Sequence, residues 1–518
     1  MNRVIKFAGW SGAVALLGLA AVVVWFLVLF DPSDHRQTIS DWIYERSGYR
    51  VAFDGPIAWD MGFAFRSGLS VDLDVRDARV LSIDGADQAQ PLEIRAFNVS
   101  LRGSQVWDLL RGESFRAHGG FDLAGVDIRA LTSELEVDWQ IFLPNAFRRA
   151  SGRGLFDVQA ERLVLSELDV VMAATPIFGT LSVSNWSTTP EVDFNFSIPT
   201  LQMDNLIPRE KQNFFDGLVL LSLPAFSVAK VNATGNVAIG ELLSGGMAMT
   251  EVSIPIESRD GRALSSPVTA KLYEGTAEID TLMSVENDTI HFLSTQRLQQ
   301  VEIGQALADI GVTKMLDARA DLSLALEFAS PDVSSGLESL QGVLALQAEE
   351  GRIRGIDLGA FIEQLAKGQD PDSSKWLGDT VSTPIGGLLG TMKIEDGKAS
   401  NRDLAVRLVD LDARGAGSFD FTSETLDYQI LLSLERSQLA KLLPPPLNSG
   451  LLVLPLRVSG TREAPSVTLD MPAFLQMQFK YMMGGGSPIR PAAVDSETIA
   501  LMKMLESKLQ DQIKLARQ

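Results

Sequence analysis

The chain has no cysteine and only three histidines. Without thiols it can form no disulfide, use no thiolate nucleophile and offer no cysteine ligand to a metal ion. His35, His118 and His291 are scattered and lack the spacing of metal ligands. We therefore expect no metal site, and the lack of cysteine suits a protein that folds outside the reducing cytoplasm.

Recognisable catalytic motifs are also missing. The sequence contains no G-x-S-x-G elbow, no Walker A loop and no H-E-x-x-H pair. Gly152-Arg-Gly154 and Gly415-Ala-Gly417 lack the third glycine of a dinucleotide fingerprint, and we interpret both as turns. We expect neither an enzyme nor a cofactor. Because the many Asp and Glu residues could include a catalytic pair, an envelope hydrolase stays open as a further function class.

Basic residues are too few to balance the acidic ones. The 66 Asp and Glu residues against 45 Lys and Arg give a formal net charge of −21 at pH 7. Binding to nucleic acid needs clustered basic residues along a phosphate backbone, so no nucleic-acid partner is expected. The same charge opposes electrostatic docking of the whole chain onto anionic membranes.

One long apolar run, residues 9–30, lies near the N-terminus. About 20 uncharged residues are enough to cross a hydrocarbon core roughly 30 Å thick. The run is longer than the core of a cleavable signal peptide and ends in bulky Leu29 and Phe30, so we predict an uncleaved transmembrane helix. Arg3 and Lys6 precede it, which places residues 1–8 in the cytoplasm and the bulk of the chain outside it.

After this run the hydrophobic period is mostly that of β-strands. A short amphipathic helix is predicted over 33–47, with Ser33 accepting a backbone N–H at its start. From residue 48 apolar and polar residues alternate, as in a strand with one buried face. The clearest runs are 69–75, 192–198, 322–328, 426–430 and 454–458, and turn signals occur at Asp84-Gly85, Asp260-Gly261, Asp396-Gly397 and Gly415-Ala-Gly417.

Helical patterns are few and short. They cover 104–110, 303–316, 356–365 and 471–483, and a last amphipathic helix follows the Gly484-Gly485-Gly486 break. Asp357 is interpreted as the N-cap of the third of these helices. The 471–483 stretch, rich in Met and aromatic residues, is either an exit region that handles lipid or a final packed element.

The predicted fold is mainly β: an N-terminal transmembrane helix, then an elongated, curled antiparallel sheet shaped as a groove, with a few short helices. The predicted regions are a tail (1–8), the anchor (9–30), the short helix (33–47), a first β-groove region (48–330), a second β region (331–470) and a C-terminal segment (471–518). Parallel crossover units are not expected, because helical patterns are too few to connect them.

A sheet with one apolar face must remove that face from water. Either two layers close on each other as a dry core, or the sheet curls into a trough with an accessible apolar wall, and the pattern leaves both open. A trough is reasonable when its occupant is itself apolar. Exposing two lipid tails of about 16 carbons each to water costs on the order of 25 kcal/mol, which such a wall would largely offset.

Three segments resemble the AsmA family of bacterial envelope proteins. The first follows the apolar run and contains Ser47-Gly48-Tyr49, Gly55 and Trp59. The second is GVLALQAEEGRIRGIDLGAFIEQL, in which the matching positions are Gly342, Gly351, Ile353, Gly355, Ile356, Asp357 and Leu358. The third begins at Thr383 and closes with LPLRVSGTREAPSVTLD.

The resemblance implies a β-groove of the bridge-like lipid transfer type, tethered to the inner membrane and exposed to the periplasm. Its partners would be membrane lipids, most simply phospholipid, together with a protein of the outer membrane or periplasm, and its role would lie in phospholipid transport and outer-membrane biogenesis. The alternative is a non-enzymatic assembly or regulatory factor for outer-membrane protein insertion that acts through protein contacts. The apolar positions of three strands are the lipid-groove candidates: Leu69, Val71, Leu73, Val75, Val192, Phe194, Phe196, Ile198, Leu322, Leu324, Leu326 and Phe328.

Overall fold

The structure is a computed structural model that describes most of the chain from Pro32 onward. The described residues are 32–47, 50–64, 68–81, 92–102, 116–127, 149–185, 188–203, 232–244, 246–260, 262–309, 315–331, 336, 339–367, 373–408, 412–420, 423, 425–433, 453–461, 465–483 and 495–516. The predicted anchor at 9–30 and the predicted helix at 104–110 lie outside them.

Strands dominate the described residues, which form 22 strands and a few short helices. The α-helices are α1 (Arg36–Ser47), α2 (Ile303–Asp309), α3 (Leu358–Ala366), α4 (Met471–Met482) and α5 (Ser496–Ala516). The strands are β1 (Arg50–Phe53), β2 (Ile57–Ala64), β3 (Gly68–Leu81), β4 (Leu92–Arg102), β5 (Arg116–Asp127), β6 (Arg149–Gln159), β7 (Arg162–Met172), β8 (Thr175–Ser184), β9 (Glu191–Gln202), β10 (Asn232–Ser244), β11 (Met247–Arg259), β12 (Arg262–Leu272), β13 (Gly275–Glu286), β14 (Thr289–Glu302), β15 (Leu316–Ser330), β16 (Gln341–Ile356), β17 (Leu377–Glu395), β18 (Lys398–Leu408), β19 (Asp412–Asp420), β20 (Thr425–Ser433), β21 (Val453–Thr461) and β22 (Pro465–Leu469). The prediction of a mainly β fold is confirmed.

Contacts divide the chain into two compact units. The first contains Met1–Glu136 and Asn145–Phe196, and the second contains Val137–Pro144 and Ser197–Gln518. The division of the β region at residue 330 stays a prediction.

In the first unit, each strand from β3 to β8 pairs antiparallel with its neighbour in the chain. Strands β1 and β2 both pair with β3. Helix α1 packs Ile39 against a cluster of Ile57, Val75 and Ala78. Ser33 lies in the 3₁₀ turn before α1, where its Oγ accepts the N–H of Ile57 at 3.1 Å and so ties this turn to β2.

In the second unit, β10 to β22 also pair antiparallel in chain order, each strand with the next. Antiparallel pairing was expected from the turn signals, and Asp396-Gly397 illustrates the cause. Both residues have positive φ, 48° and 72°, as a two-residue hairpin turn between β17 and β18 requires.

The helices agree with the predictions in kind more than in length. Within the 303–316 pattern the structure describes a helix over Ile303–Asp309, and strand β15 begins at Leu316; residues 310–314 lie outside the described residues. Asp357 is the N-cap of α3, because its Oδ1 accepts the N–H of Ala360 at 2.9 Å. Helices α4 and α5 lie where the two C-terminal patterns predicted them. Among the described helices, none has the length and apolarity needed to cross a bilayer.

The interpretation of two glycine pairs as turns is wrong. Gly415 and Gly417 lie inside β19, and Gly152 and Gly154 lie inside β6. A Cβ on Gly417 would collide with the ring of Tyr428 on β20. The physical reason for glycine here is therefore a close cross-strand approach, which a sequence cannot distinguish from a turn.

Candidate functional site

Strands β14–β17 of the second unit present two faces of different chemistry. Their pairing register places one uncharged set of residues on a single face, which we call the Leu324 face: Ile290, Phe292, Ser294, Gln296, Leu298, Ala320, Leu322, Leu324, Leu326, Phe328, Gly342, Leu344, Leu346, Ala348, Leu388, Gly390, Met392 and Ile394. The opposite face, here the α5 face, carries Arg297, Glu327 and Lys393 on the same strands. The charged residues of these strands that the register places therefore lie on one side of the sheet only.

The middle of the Leu324 face is only partly removed from water. Leu298, Leu322, Leu324, Leu344, Leu346 and Met392, which we call the central strip, are all half-buried. Fully buried clusters flank the strip, with Ala320 and Ala348 on one side and Leu326 and Phe328 on the other. The strip is thus the accessible floor between two packed margins.

The described helices contact the apolar side of this sheet only near one edge. Helices α2, α3 and α4 follow the ends of β14, β16 and β22. Because neighbouring strands are antiparallel, every second strand ends on the same side of the sheet. We call this side, where the three helices begin, the helix margin. There Ile303 packs with Val301 and Ala318, while Phe361 and Phe474 pack on a cluster further along. Within the described residues, no helix lies across the central strip itself.

The α5 face, in contrast, is crossed by a packed helix. Helix α5 crosses strands β12–β17 and buries Met502, Leu505, Leu509 and Ile513 against Leu264, Leu282, Leu293, Ala325 and Val343. The exposed fractions of Leu505 and Leu509 are 1% and 0%. Two exposed ion pairs, Arg297–Glu506 at 3.3 Å and Lys508–Glu327 at 2.6 Å, lie beside this contact.

A buried polar network lies next to the strip, at the start of α5. The carboxylate of Asp403 accepts the N–H of Thr391 at 2.8 Å, the amide of Asn401 at 2.8 Å and the N–H of Asp495 at 3.0 Å. Tyr428 donates its hydroxyl to Asn401, and burial, with the nearby Asp403 charge, raises the pKa of this tyrosine. Because its members satisfy one another, we assign this network to holding α5 and not to chemistry.

The four candidates on β15 all lie on the Leu324 face. Leu322 and Leu324 belong to the central strip, whereas Leu326 and Phe328 are buried at 9% and 7% exposure. Phe328 stacks on Phe292 of β14 with ring centroids 4.8 Å apart. The four candidates therefore lie together on one face, two of them in the central strip and two in the buried cluster beside it.

The candidates on β3 lie in the first unit. Val71, Leu73 and Val75 share one face and pair with Leu101, Val99 and Phe97 of β4. Phe97 in turn stacks on Phe156 of β6, with centroids 5.4 Å apart and ring planes within 6°. Val75 is buried, while Val71 and Leu73 are half-buried; Leu69 is part of β3, but its side chain lies outside the described set.

The candidates on β9 alternate as predicted. Val192, Phe194 and Phe196 are half-buried and Ile198 is buried at 8% exposure, whereas the intervening residues 193, 195 and 197 are exposed. Phe194 and Phe196 stack on each other with centroids 5.4 Å apart. They thus form one apolar side of the strand.

Several residues of these faces were missed from the sequence. Leu344 and Leu346 pair directly with Leu324 and Leu322, and Phe97 and Val99 pair with Val75 and Leu73. Their alternation carries the same period-two signal as the chosen strands, so it could have identified them. No sequence signal predicts which strands α5 covers, since its targets are spread over β12–β16.

Two cavities in the described part of the molecule lie away from the central strip. One, of about 820 Å³, lies in the first unit, with Phe121, Leu155, Leu168 and Phe178 among its lining residues. The other, of about 440 Å³, lies beside His291, Glu327 and Lys508, and its lining is mixed, with Leu282 and Leu293 among the apolar residues. No group of three or more His, Cys, Asp or Glu residues within the described ranges is close enough to hold a metal ion.

Comparison with known proteins finds a family match within the second unit. The model of the AsmA family matches residues 235–404, a segment that contains most of β10, all of β11–β17 and the whole Leu324 face. No curated protein and no solved structure matches the chain. The second of the three motif segments lies inside the match, and the N-terminal one lies outside it. The resemblance to the AsmA family is confirmed over residues 235–404, which are about a third of the chain.

Proposed function

We propose that the Leu324 face binds the acyl chains of phospholipids, and that the protein takes part in phospholipid transport and outer-membrane biogenesis. The single observation that carries this proposal is a face without charged residues whose central leucines are half-buried, on a sheet whose other face packs against α5. The AsmA family match over residues 235–404 supports a role with lipids and membranes at a coarser level.

The dimensions of the strip support an acyl chain as its occupant. The central strip crosses four strands, and three spacings of about 4.8 Å give roughly 14 Å. One leaflet contributes about half of a ~30 Å hydrocarbon core, so an acyl chain in a bilayer spans about 15 Å. A chain of about 16 carbons that covers half of its surface on the strip gains about 6 kcal/mol. The headgroup would stay in water.

The rest of the proposal follows from the anchor. Residues 9–30 would hold the chain in the inner membrane, with the described units in the periplasm. Binding of this kind needs no nucleotide and no catalytic residue, because lipid exchanges between apolar surfaces of similar free energy. We therefore propose passive, non-enzymatic transport.

The test is the lipid content of the purified full-length protein. A charge at Leu324, in the variant Leu324→Asp, places a carboxylate beneath the bound chain, and we expect bound phospholipid to fall about tenfold or more. Quantitative mass spectrometry of extracted lipid measures this directly. The matched control is Leu389→Asp, because Leu389 is 39% exposed and lies on the α5 face of β17.

Two outcomes would contradict the proposal. Equal lipid content in the wild type, Leu324→Asp and Leu389→Asp would show that the face binds no lipid. A loss of several kcal/mol of stability in Leu324→Asp alone, measured by urea unfolding, would indicate a closed core. The second result would favour the assembly or regulatory factor that acts through protein contacts.

A further inference from the structure

Helix α4 carries a row of large apolar side chains that face solvent. Met471, Leu475, Phe479 and Met483 are spaced by four residues, which places them along one side of the helix and the turn that ends it. Their exposed fractions are 49%, 61%, 61% and 74%. We call these four residues the α4 stripe. An exposed row of this kind marks an interaction surface more often than an isolated exposed leucine does.

The opposite side of α4 packs on the sheet, so the α4 stripe faces away from the sheet. Phe474 packs on the cluster that contains Leu432 and Leu454, at the helix margin of the apolar side of the sheet. Asp470 caps the helix, with Oδ1 accepting the N–H of Ala473 at 3.0 Å, and its own N–H donates to the carbonyl of Pro455 on β21 at 2.9 Å. The helix is thus apolar on two sides, one against the sheet and one outward.

The part of the sequence that begins with α4 differs in charge from the chain as a whole. Residues 471–494 contain no Asp or Glu and have Lys480 and Arg490, although the whole chain has 66 acidic residues and a net charge of −21. Lys480 lies within α4, where its long side chain can reach beyond the apolar row to a charged surface. A basic, acid-free segment with Met and Phe on one face fits the interface of an anionic bilayer.

We propose that the α4 stripe docks on the surface of a phospholipid bilayer that contains anionic headgroups. Helix α4 directly follows β22, the last strand of the sheet, and touches the apolar side through Phe474. Docking would therefore bring a bilayer next to the end of the apolar face, where lipid enters or leaves. That consequence rests on the proposed function, whereas the docking itself does not.

The absence of cysteine allows a direct test in the full-length protein. A single cysteine in Leu475→Cys takes an environment-sensitive fluorophore at one position only. The labelled protein is reconstituted in nanodiscs and then mixed with vesicles of phosphatidylethanolamine and phosphatidylglycerol. We expect a blue shift of emission and quenching by brominated lipid, and neither change in Ser507→Cys, whose position on α5 is exposed. A shift in nanodiscs alone would place the contact on the bilayer of the anchor, and a shift only with vesicles on a second bilayer.

A second measurement separates docking from folding. The double variant Leu475→Ser, Phe479→Ser removes two apolar side chains without changing charge, and vesicle affinity in co-flotation should fall about 100-fold or more. The matched control is Met504→Ser, Leu515→Ser, because these α5 residues are 54% and 53% exposed. It should bind vesicles as the wild type does.

Three results would overturn the proposal. One is an emission spectrum of Leu475→Cys that neither the nanodisc bilayer nor the vesicles shift. Another is equal loss of affinity in both double variants. The third is a dimer in light scattering that Leu475→Ser, Phe479→Ser abolishes, which would assign the stripe to a second copy of the chain. Lipid content measured on the same samples tells the two proposals apart: loss of docking with normal bound lipid concerns α4 alone, and missing lipid with normal docking concerns the Leu324 face alone.

Discussion

Replacing Leu509 by alanine should release helix α5 from the sheet. Leu509 is 0% exposed and lies in the cluster formed with Leu293, Ala325 and Val343. A Leu→Ala change at a fully buried position costs about 2–5 kcal/mol, from lost apolar burial and from the cavity that remains. Because α5 touches the sheet through one row of residues, most of this cost should appear as local opening of the helix.

Hydrogen exchange with mass spectrometry measures this opening. A cost of about 2–5 kcal/mol raises the exchange rate of α5 amides by roughly 30- to 3,000-fold. The control is Leu515→Ala on the same helix, because Leu515 is 53% exposed and its loss should cost no more than about 0.5 kcal/mol. Strands β13–β16 should keep their protection in both variants.

The same pair of variants also tests the separation of the two faces. Since α5 packs on the face opposite the central strip, Leu509→Ala should leave bound phospholipid unchanged while α5 exchanges faster. Equal exchange rates in Leu509→Ala and Leu515→Ala would refute the packing described for α5. A parallel loss of lipid in Leu509→Ala would refute the independence of the two faces.

Two further predictions concern pH and backbone space. A hydrogen bond with Thr498 holds the pKa of Asp495 below its ordinary value of 3.8. The ionised carboxylate therefore stabilises α5 above that pH, and this stabilisation is lost as the pH falls through the lower pKa of the folded state. Hydrogen exchange of α5 amides should accelerate below about pH 4 in the wild type, and Asp495→Asn should remove this pH dependence. Gly417→Ala should lower the urea midpoint through a loss of about 1–3 kcal/mol, because the added methyl meets the ring of Tyr428; Gly386→Ala, where a Cβ meets nothing closer than 3.7 Å, should not.

The alternation of the strands was readable in the sequence because burial of one face imposes a period of two. Val192, Phe194 and Phe196 show this with exposed residues between them. The amphipathic period of α5 was equally readable. What the sequence does not contain is the partner of each face: nothing in residues 499–513 indicates that they cover Leu264 and Leu293 and leave Leu324 accessible.

Glycine was the main source of error. Hairpin signals of the Asp-Gly type rely on positive φ, and Asp396-Gly397 was interpreted correctly because both residues adopt it. Gly415 and Gly417 serve a different need, space for the aromatic ring of Tyr428 on the neighbouring strand. Local sequence cannot separate these causes, because the second depends on a contact between strands β19 and β20.

In the second unit each described strand pairs with the next strand in the chain, and this has a consequence for how such a sheet can lengthen. In the second unit, duplication of one hairpin would lengthen the sheet by about 9–10 Å, keep the chain direction and preserve both faces. Insertion of one strand alone would send the chain to the other edge, so that α4 would leave the margin at which Phe474 is seated. Relatives of different reach should therefore differ by even numbers of strands.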